Sequence, residues 1–364
     1  MIDPRPEVKE MTLYVPGMSL SEARSDSGRH SMVKLASNES LWGPSPRAIE
    51  AARRALEASN YYPMVQEADF LEALAHNHGL AREQVMAGNG ADEILRLAAE
   101  TYVRAGDEVV YPSPSFSAYR HSALVAGAVP VAAGLAPNGA NDVDAVLQAI
   151  TPKTRLVYLC SPNNPTGTSF SREDFERYWA GVPDHVLTVV DSAYHEFNDG
   201  GVPDFVQAIA DGRSMVWVRT FSKLYGLAAL RIGWAAAPPE IIRNLLTVRE
   251  PFSVNSLGWA AARASLDDQA YFSRVLSETL AARRFLCQQL NQMGITHFES
   301  QANFVTLAVP KSDEEMAREL RCRGFVVRPT SSFGLPGYIR VTVAPIPILE
   351  GFLSALQSVL ASMT

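Results

Sequence analysis

Residues 215–234 read MVWVRTFSKLYGLAALRIGW, and Lys223 in their middle decides how the rest of the chain is read. The chain has five lysines, Lys9, Lys34, Lys153, Lys223 and Lys311, among 32 basic residues. A sequence that otherwise prefers arginine has kept a lysine between a β-rich run, Met215 to Val218, and the Gly226–Leu227 turn. Arginine cannot replace lysine in one chemistry. Only a primary amine whose pKa falls on burial condenses with an aldehyde. The alternative is a surface lysine at a strand end, and the stretch by itself does not separate the two.

Working outward, short apolar runs at Glu108–Tyr111, Arg155–Cys160, Val186–Val190, Met215–Val218 and Arg231–Ala236 alternate with helical stretches such as Asp142–Ala149 and Arg172–Trp179. Continuous apolar strands separated by helices predict a mostly parallel sheet buried on both faces. Ligands of such sheets lie beyond the carboxyl ends of the strands. The loops Pro112–Tyr119, Ser161–Gly167, Asp191–Tyr194 and Thr220–Lys223 all fall there. Upstream, a short β segment ends in Gly88-Asn89-Gly90 and opens a helix that turns Ile94, Leu97, Ala98 and Tyr102 inward. A glycine-rich turn feeding a helix start is an anion cradle, although Glu93 at the last position breaks the dinucleotide-binding GxGxxG spacing. Two further helices are expected, Arg47–Ala58 with Ile49, Ala52 and Leu56 on its apolar face, and Glu67–His78 with Phe70, Leu71 and Leu74.

Composition excludes several classes. The 364 residues are 47% hydrophobic and 20% charged, with a net charge of −7, which speaks against nucleic acid or an anionic membrane as partner. No run of about 18 apolar residues is present, and MIDPRPEVKE lacks the apolar core of a signal peptide. Cys160, Cys287 and Cys322 form no CxxC pair, so neither a disulfide framework nor a zinc site is expected, and a cytoplasmic location fits. His76 and His78, two apart on a helix, read as surface histidines rather than metal ligands. Residues 1–34 read as an irregular arm with a short helix, polar and mobile over Ser25–His30. After about Pro251 the pattern changes. A long helix, Tyr271–Met293, precedes a strand (Asn303–Val309), a helix (Glu314–Cys322), strands at Phe325–Arg328 and Tyr338–Val343, and a last helix, Pro347–Leu360. We expect a large cofactor-binding domain over 35–255 and a small α+β C-terminal domain over 256–364, joined by the arm 1–34.

Together the motifs Asn164-Pro165-Thr166-Gly167, Asp191-Ser192-Ala193-Tyr194, Thr220-Phe221-Ser222-Lys223 and Arg231-Ile232-Gly233 resemble those of the fold type I pyridoxal-phosphate aminotransferases. VKLASNE (33–39), VREPFSVNSLG (248–258), SQANFV (300–305) and GFVVRP (324–329), followed by GLP and IRVTV, are similar to the histidinol-phosphate branch. The resemblance runs from about Tyr14 to the C-terminus. It implies the fold type I architecture, pyridoxal 5′-phosphate as cofactor, an amino donor and an oxo-acid acceptor as substrates, and a homodimer with shared active sites. Residue by residue, it implies that Lys223 holds the cofactor as an internal aldimine and shuttles the proton. Asp191 pairs with the pyridine nitrogen, and Tyr194 and Asn164 donate to the ring oxygen. Phe116 stacks on the ring. Thr220, Ser222, Arg231 and the amides of Ala91 and Asp92 hold the phosphate, with Tyr62 reaching it from the neighbouring subunit. Arg340 and Arg328 take the anionic groups of the substrate, and Tyr14 and Asn38 line its mouth. Tyr119 is read either as another residue of that mouth or as a core tyrosine.

The chain departs from the branch pattern at Ser40-Leu41, where Asn-Pro is usual, at Ser192, and at Phe116 in place of tyrosine. Trp42 either closes the substrate mouth or caps the domain interface. The expected reaction is transamination between histidinol phosphate and 2-oxoglutarate. Transfer to an aromatic or other amino acid, decarboxylation and oxidation on the same cofactor stay open.

Overall fold

The computed structural model describes residues 2–11, 13, 17–63 and 66–362. A two-residue strand, β1 (Val33–Lys34), precedes a seven-stranded sheet made of β2 (Val85–Gly88), β3 (Glu108–Pro112), β4 (Val129–Ala133), β5 (Thr154–Cys160), β6 (Leu187–Asp191), β7 (Met215–Thr220) and β8 (Gly233–Ala236). The strand order is β2-β8-β7-β6-β5-β3-β4, and β8 alone runs against the direction of the other six. The reversal has a functional effect. Arg231 precedes its strand, yet it reaches the same edge as the ends of β5, β6 and β7, because Thr220 pairs with Gly233.

Both faces of this sheet are covered, as the apolar strand sequences require. Along β5, Val157 and Leu159 enter one core, with Phe175, Phe205 and Trp217. Leu156 and Tyr158 enter the other, with Ile94, Leu97 and Val216. The 2.0-residue period of a strand makes this division automatic. β4 and the helix Ala118–Val125 that leads to it were not foreseen. β4 is an edge strand carrying Pro130 and an exposed Val129, and a proline inside the short run VPVAA argues against reading it as a strand.

Four strands, β9 (Phe304–Ala308), β10 (Phe325–Val326), β11 (Arg328–Pro329) and β12 (Tyr338–Thr342), build the smaller part. β11, β12 and β9 form an antiparallel sheet, and β10 pairs in parallel with β1. The strand expected over Phe325–Arg328 therefore breaks at Val327 and serves two sheets. The helices Gln269–Gln292, Asp313–Cys322 and Ile346–Ala361 cover this sheet through Leu286, Leu290, Met316, Leu320, Phe352 and Leu356, and Leu35 from the N-terminal segment joins them. Ser25–Ser27, expected to be mobile, closes the helix Leu20–Ser27, which starts on a Ser19/Glu22 capping box.

Three further expectations change. The helix Ser256–Leu266, expected in the small domain, buries Trp259, Ala261, Ala262 and Leu266 in the core of the seven-stranded sheet. The helix Pro46–Leu56 buries Ala48 and Ala55, while Ile49 and Leu56 are exposed. It meets the alanine-rich helix Ser256–Leu266 at close range, where only small side chains fit. His78 is not a plain surface histidine. Its ring lies 4.6 Å from that of Trp234, and burial lowers its pKa to about 4. Among the described residues no helix is long and apolar enough to cross a membrane, and no cluster of three metal-ligating side chains occurs.

Candidate active site

A cavity of about 240 Å³ opens where the strand ends of the seven-stranded sheet face β11 and β12. Lys223, Asp191, Tyr194, Asn164, Phe116, Thr220, Ser222, Arg231, Ala91, Asp92, Asn38, Arg328 and Arg340, all singled out from sequence, line it. Tyr62 does not. It is exposed and stacks on Phe252 at 4.6 Å between ring centroids. Tyr14 lies outside the described residues.

Lys223 ends the turn after β7, and its Nζ sits 5.5 Å from the centre of the Tyr194 ring. Burial, and then the positive charge of Arg340, lower its pKa to about 8. The last residue of β6, Asp191, is 4% exposed. Burial raises its pKa to about 6, against the opposing pull of two donors. Those are the Tyr119 hydroxyl, 2.8 Å from Oδ2, and the Ala193 amide, 3.1 Å from Oδ1. Of the two readings of Tyr119, the core tyrosine is the one the structure bears out: it is fully buried, with a polar partner that spacing alone could not reveal.

An anion cup lies at the start of the helix Ala91–Tyr102, whose N-cap Gly90 leaves the first amides without a side-chain cap. Two glycines make the cup possible. Gly90 has φ 76°, and a Cβ there would strike the Arg231 guanidinium. A Cβ on Gly233 would lie 2.5 Å from the Ala91 nitrogen. Arg231 itself is left-handed, at φ 50°. It donates to Asp92 Oδ2 at 3.0 Å and to the Ala228 carbonyl at 3.1 Å.

The opposite wall comes from the small sheet. Arg328 and Arg340 are direct register partners on β11 and β12, 9% and 5% exposed. Each guanidinium lies 5.3 Å from the centre of the Phe333 ring, so one aromatic face borders both charges. Phe333 was not identified from sequence. It rides on a short turn that Asp313 holds by accepting from the Ser331 amide and hydroxyl at 2.7 and 2.6 Å. Arg340 also donates to Asn164 Oδ1 and, at 2.9 Å, to the Ala36 carbonyl. Because arginine has no acceptor, the first bond turns the Asn164 amide oxygen away and leaves its NH2 as the donor. Trp42 does not line the cavity. It packs between the small-domain core and the Tyr194–Phe304 cluster and donates to Glu278 at 2.6 Å, the domain-interface role of the two considered.

A buried lysine of lowered pKa, a buried carboxylate and an uncapped helix start at one sheet edge suit an aldehyde cofactor that carries a phosphate. The comparisons agree with that chemistry. Residues 30–348 match the model of the family "Aminotransferase class I and II", and the chain belongs to that family. It is 40% identical over 356 residues to the histidinol-phosphate aminotransferase of Symbiobacterium thermophilum, covering 98% of each chain. It is 39% identical to that of Moorella thermoacetica, covering 96% of this chain and 90% of the relative. The histidinol-phosphate aminotransferase of Sinorhizobium meliloti, solved with pyridoxal 5′-phosphate, superposes with a TM-score of 0.88 at 27% identity over 99% and 98% of the two chains. Aspartate aminotransferase from Thermus thermophilus shares the fold, with a TM-score of 0.83 at 22% identity over 98% of each. The chain is thus a fold type I aminotransferase. Its cofactor is pyridoxal 5′-phosphate, and an amino donor and an oxo-acid are its substrates. The cavity fits that cofactor on its own terms: an amine, an acid, an aromatic wall and a glycine-built cup share one pocket.

Proposed function

We propose that the enzyme moves an amino group between histidinol phosphate and 2-oxoglutarate, acting as a cytoplasmic homodimer. The observation that carries this is the register pair Arg328–Arg340, two buried guanidiniums on the wall opposite the cofactor cup. A single arginine suffices for a carboxylate, whereas two adjacent ones suit a phosphate dianion. The names of the relatives support the same substrate.

Pyridoxal 5′-phosphate, when bound, supplies an aldehyde that links to amines and a ring that draws electrons from a breaking C–H bond. The chain does the rest. With a pKa of about 8, Lys223 has a neutral amine in roughly a tenth of molecules at pH 7, against fewer than one in a thousand for an ordinary lysine. That amine is the group that bonds carbon and, once freed, carries a proton. Asp191, ionised above pH 6, would keep a proton on the ring nitrogen. Tyr194 and the Asn164 amide would donate to the ring oxygen, and Phe116 would pack on the ring face. Arg231, Thr220, Ser222 and the amides of Ala91 and Asp92 would hold the cofactor phosphate. Tyr62 would contribute to that cup in the neighbouring copy of the chain. Its exposure, with that of Ile49, Leu56, Tyr61, Val248 and Phe252, supports a dimer face there. Tyr14 and Asn38 would line the substrate mouth.

The test is a single half-reaction. Holoenzyme mixed with histidinol phosphate and no acceptor should lose the visible absorbance of its bound cofactor within seconds. Loss of absorbance with an aromatic amino acid but not with histidinol phosphate would transfer the assignment to an aromatic aminotransferase.

A further inference from the structure

Asn38 has a backbone conformation its side chain alone does not explain. Its φ is 54°, in the left-handed region, which asparagine tolerates better than most non-glycine residues and which the surroundings here impose. The imposition is visible on both sides of the residue. The Asn38 amide donates to Thr342 Oγ1 at 3.0 Å, and Asn303 Nδ2 donates to the Asn38 carbonyl at 3.1 Å. The Thr342 hydroxyl passes its own proton to the Leu35 carbonyl at 2.9 Å, so its acceptor role towards Asn38 is fixed. Thr342 of β12 and Asn303, just ahead of β9, thus clamp the Asn38 backbone, and the clamp aims its side chain at the large domain. There Nδ2 donates to the Tyr194 hydroxyl oxygen at 3.0 Å. Asn38 is 1% exposed and borders the cavity, and its Oδ1 has no hydrogen-bond partner among the described residues.

An amide NH2 has no lone pair to offer, so Tyr194 can only accept from it. A tyrosine oxygen occupied in this way must point its own proton elsewhere, and the cavity is the open direction. We propose that Asn38 is a positioning residue that commits the Tyr194 hydroxyl as a donor to the cofactor ring oxygen, an arrangement maintained by the small-domain clamp on its backbone. The inference rests on the reading that Tyr194 faces that oxygen, and it goes further by assigning the direction of the proton. Charge spreading along such a chain strengthens the outer bond. Burial raises the proton affinity of Tyr194, and Arg340 and then the Asn38 donor oppose that rise.

Two variants separate this role from a merely structural one. Asn38→Gly keeps the left-handed backbone and deletes the donor. Asn38→Asp keeps shape and backbone tolerance but replaces the donor with an acceptor, which draws the Tyr194 proton away from the cavity. The readout is the pH at which the bound cofactor's visible absorbance changes. A donor to the ring oxygen favours its charged form, so losing that donor should move the midpoint upward. We expect a rise of about half a unit or more in Asn38→Gly and about one unit or more in Asn38→Asp, with a fall in kcat at nearly constant KM. Melting temperatures report folding separately, and Asn38→Ala, strained at this φ, should melt below Asn38→Gly. A wild-type midpoint in both variants overturns the proposal. So does a shift in Asn38→Asp alone, because it would be a simple effect of the added charge. If histidinol phosphate fails to react with the wild type while the midpoints move as stated, the substrate assignment falls and this inference stands.

Discussion

Asp191→Asn should stabilise the cofactor-free protein at neutral pH while crippling the enzyme. The carboxyl is buried, and its value rises from the ordinary 3.8 to about 6. At 1.36 kcal/mol per unit that corresponds to about 3 kcal/mol. Since the folded value lies above the unfolded one, the native state holds the proton more tightly. The penalty is absent below about pH 4, grows as the pH rises through 6 and is complete above it. Asparagine removes the charge but accepts with one oxygen where the carboxylate uses two, for the Tyr119 hydroxyl and the Ala193 amide. That loss costs about 1 kcal/mol, which leaves a net gain of about 2 kcal/mol at pH 7.5. An unfolding entropy of about 2.1 cal/mol/K per residue over 364 residues converts this to a melting temperature roughly 3 °C higher. The assay is calorimetry of cofactor-stripped wild type and variant at pH 4.5 and 7.5. The variant's advantage should disappear at the lower pH, and in wild type added cofactor should restore stability at the higher pH. A variant that melts at or below wild type at pH 7.5, or an advantage independent of pH, refutes the reasoning.

Arg328→Ala should lower kcat/KM for histidinol phosphate by about a hundredfold while changing that for unphosphorylated histidinol only a few fold, as steady-state kinetics with the two amines will show. Gly233→Ala places a methyl 2.5 Å from the Ala91 nitrogen and should weaken cofactor binding by about tenfold or more, read by fluorescence titration of the apoenzyme. Trp42→Phe deletes the donor to Glu278 and should cost about 1 kcal/mol in thermal stability while KM stays within twofold, because Trp42 supports the domain contact and not the pocket.

How much of this was legible in the sequence depends on what carried each feature. Lys223, Asp191, Asn164 and Thr220 follow strand ends in order, so a parallel sheet brings them together whatever the intervening loops do. Arg231 borders the cavity for a reason the sequence did not display, the reversed direction of β8. The face of the helix Pro46–Leu56 was misread because large apolar residues usually mark the core, and here two alanine-lined helices leave no room for them. Phe333 reaches the arginines from an irregular turn that has no period to read, and Tyr119 depends on a contact across a long stretch of chain. The Tyr119–Asp191 bond spans 72 residues, and no local period encodes it.

The pairing of β1 with β10 joins Val33 to Phe325, and this bears on how the protein is made. Translation at about 5–20 residues per second leaves the first of these strands waiting about 15 to 60 s for the second to emerge. By then the seven-stranded sheet and its lysine can already be in place. The wall that carries Arg328 and Arg340 is added last. A nascent chain that has emerged as far as residue 270 therefore carries the sheet side of the cavity without Arg328 and Arg340.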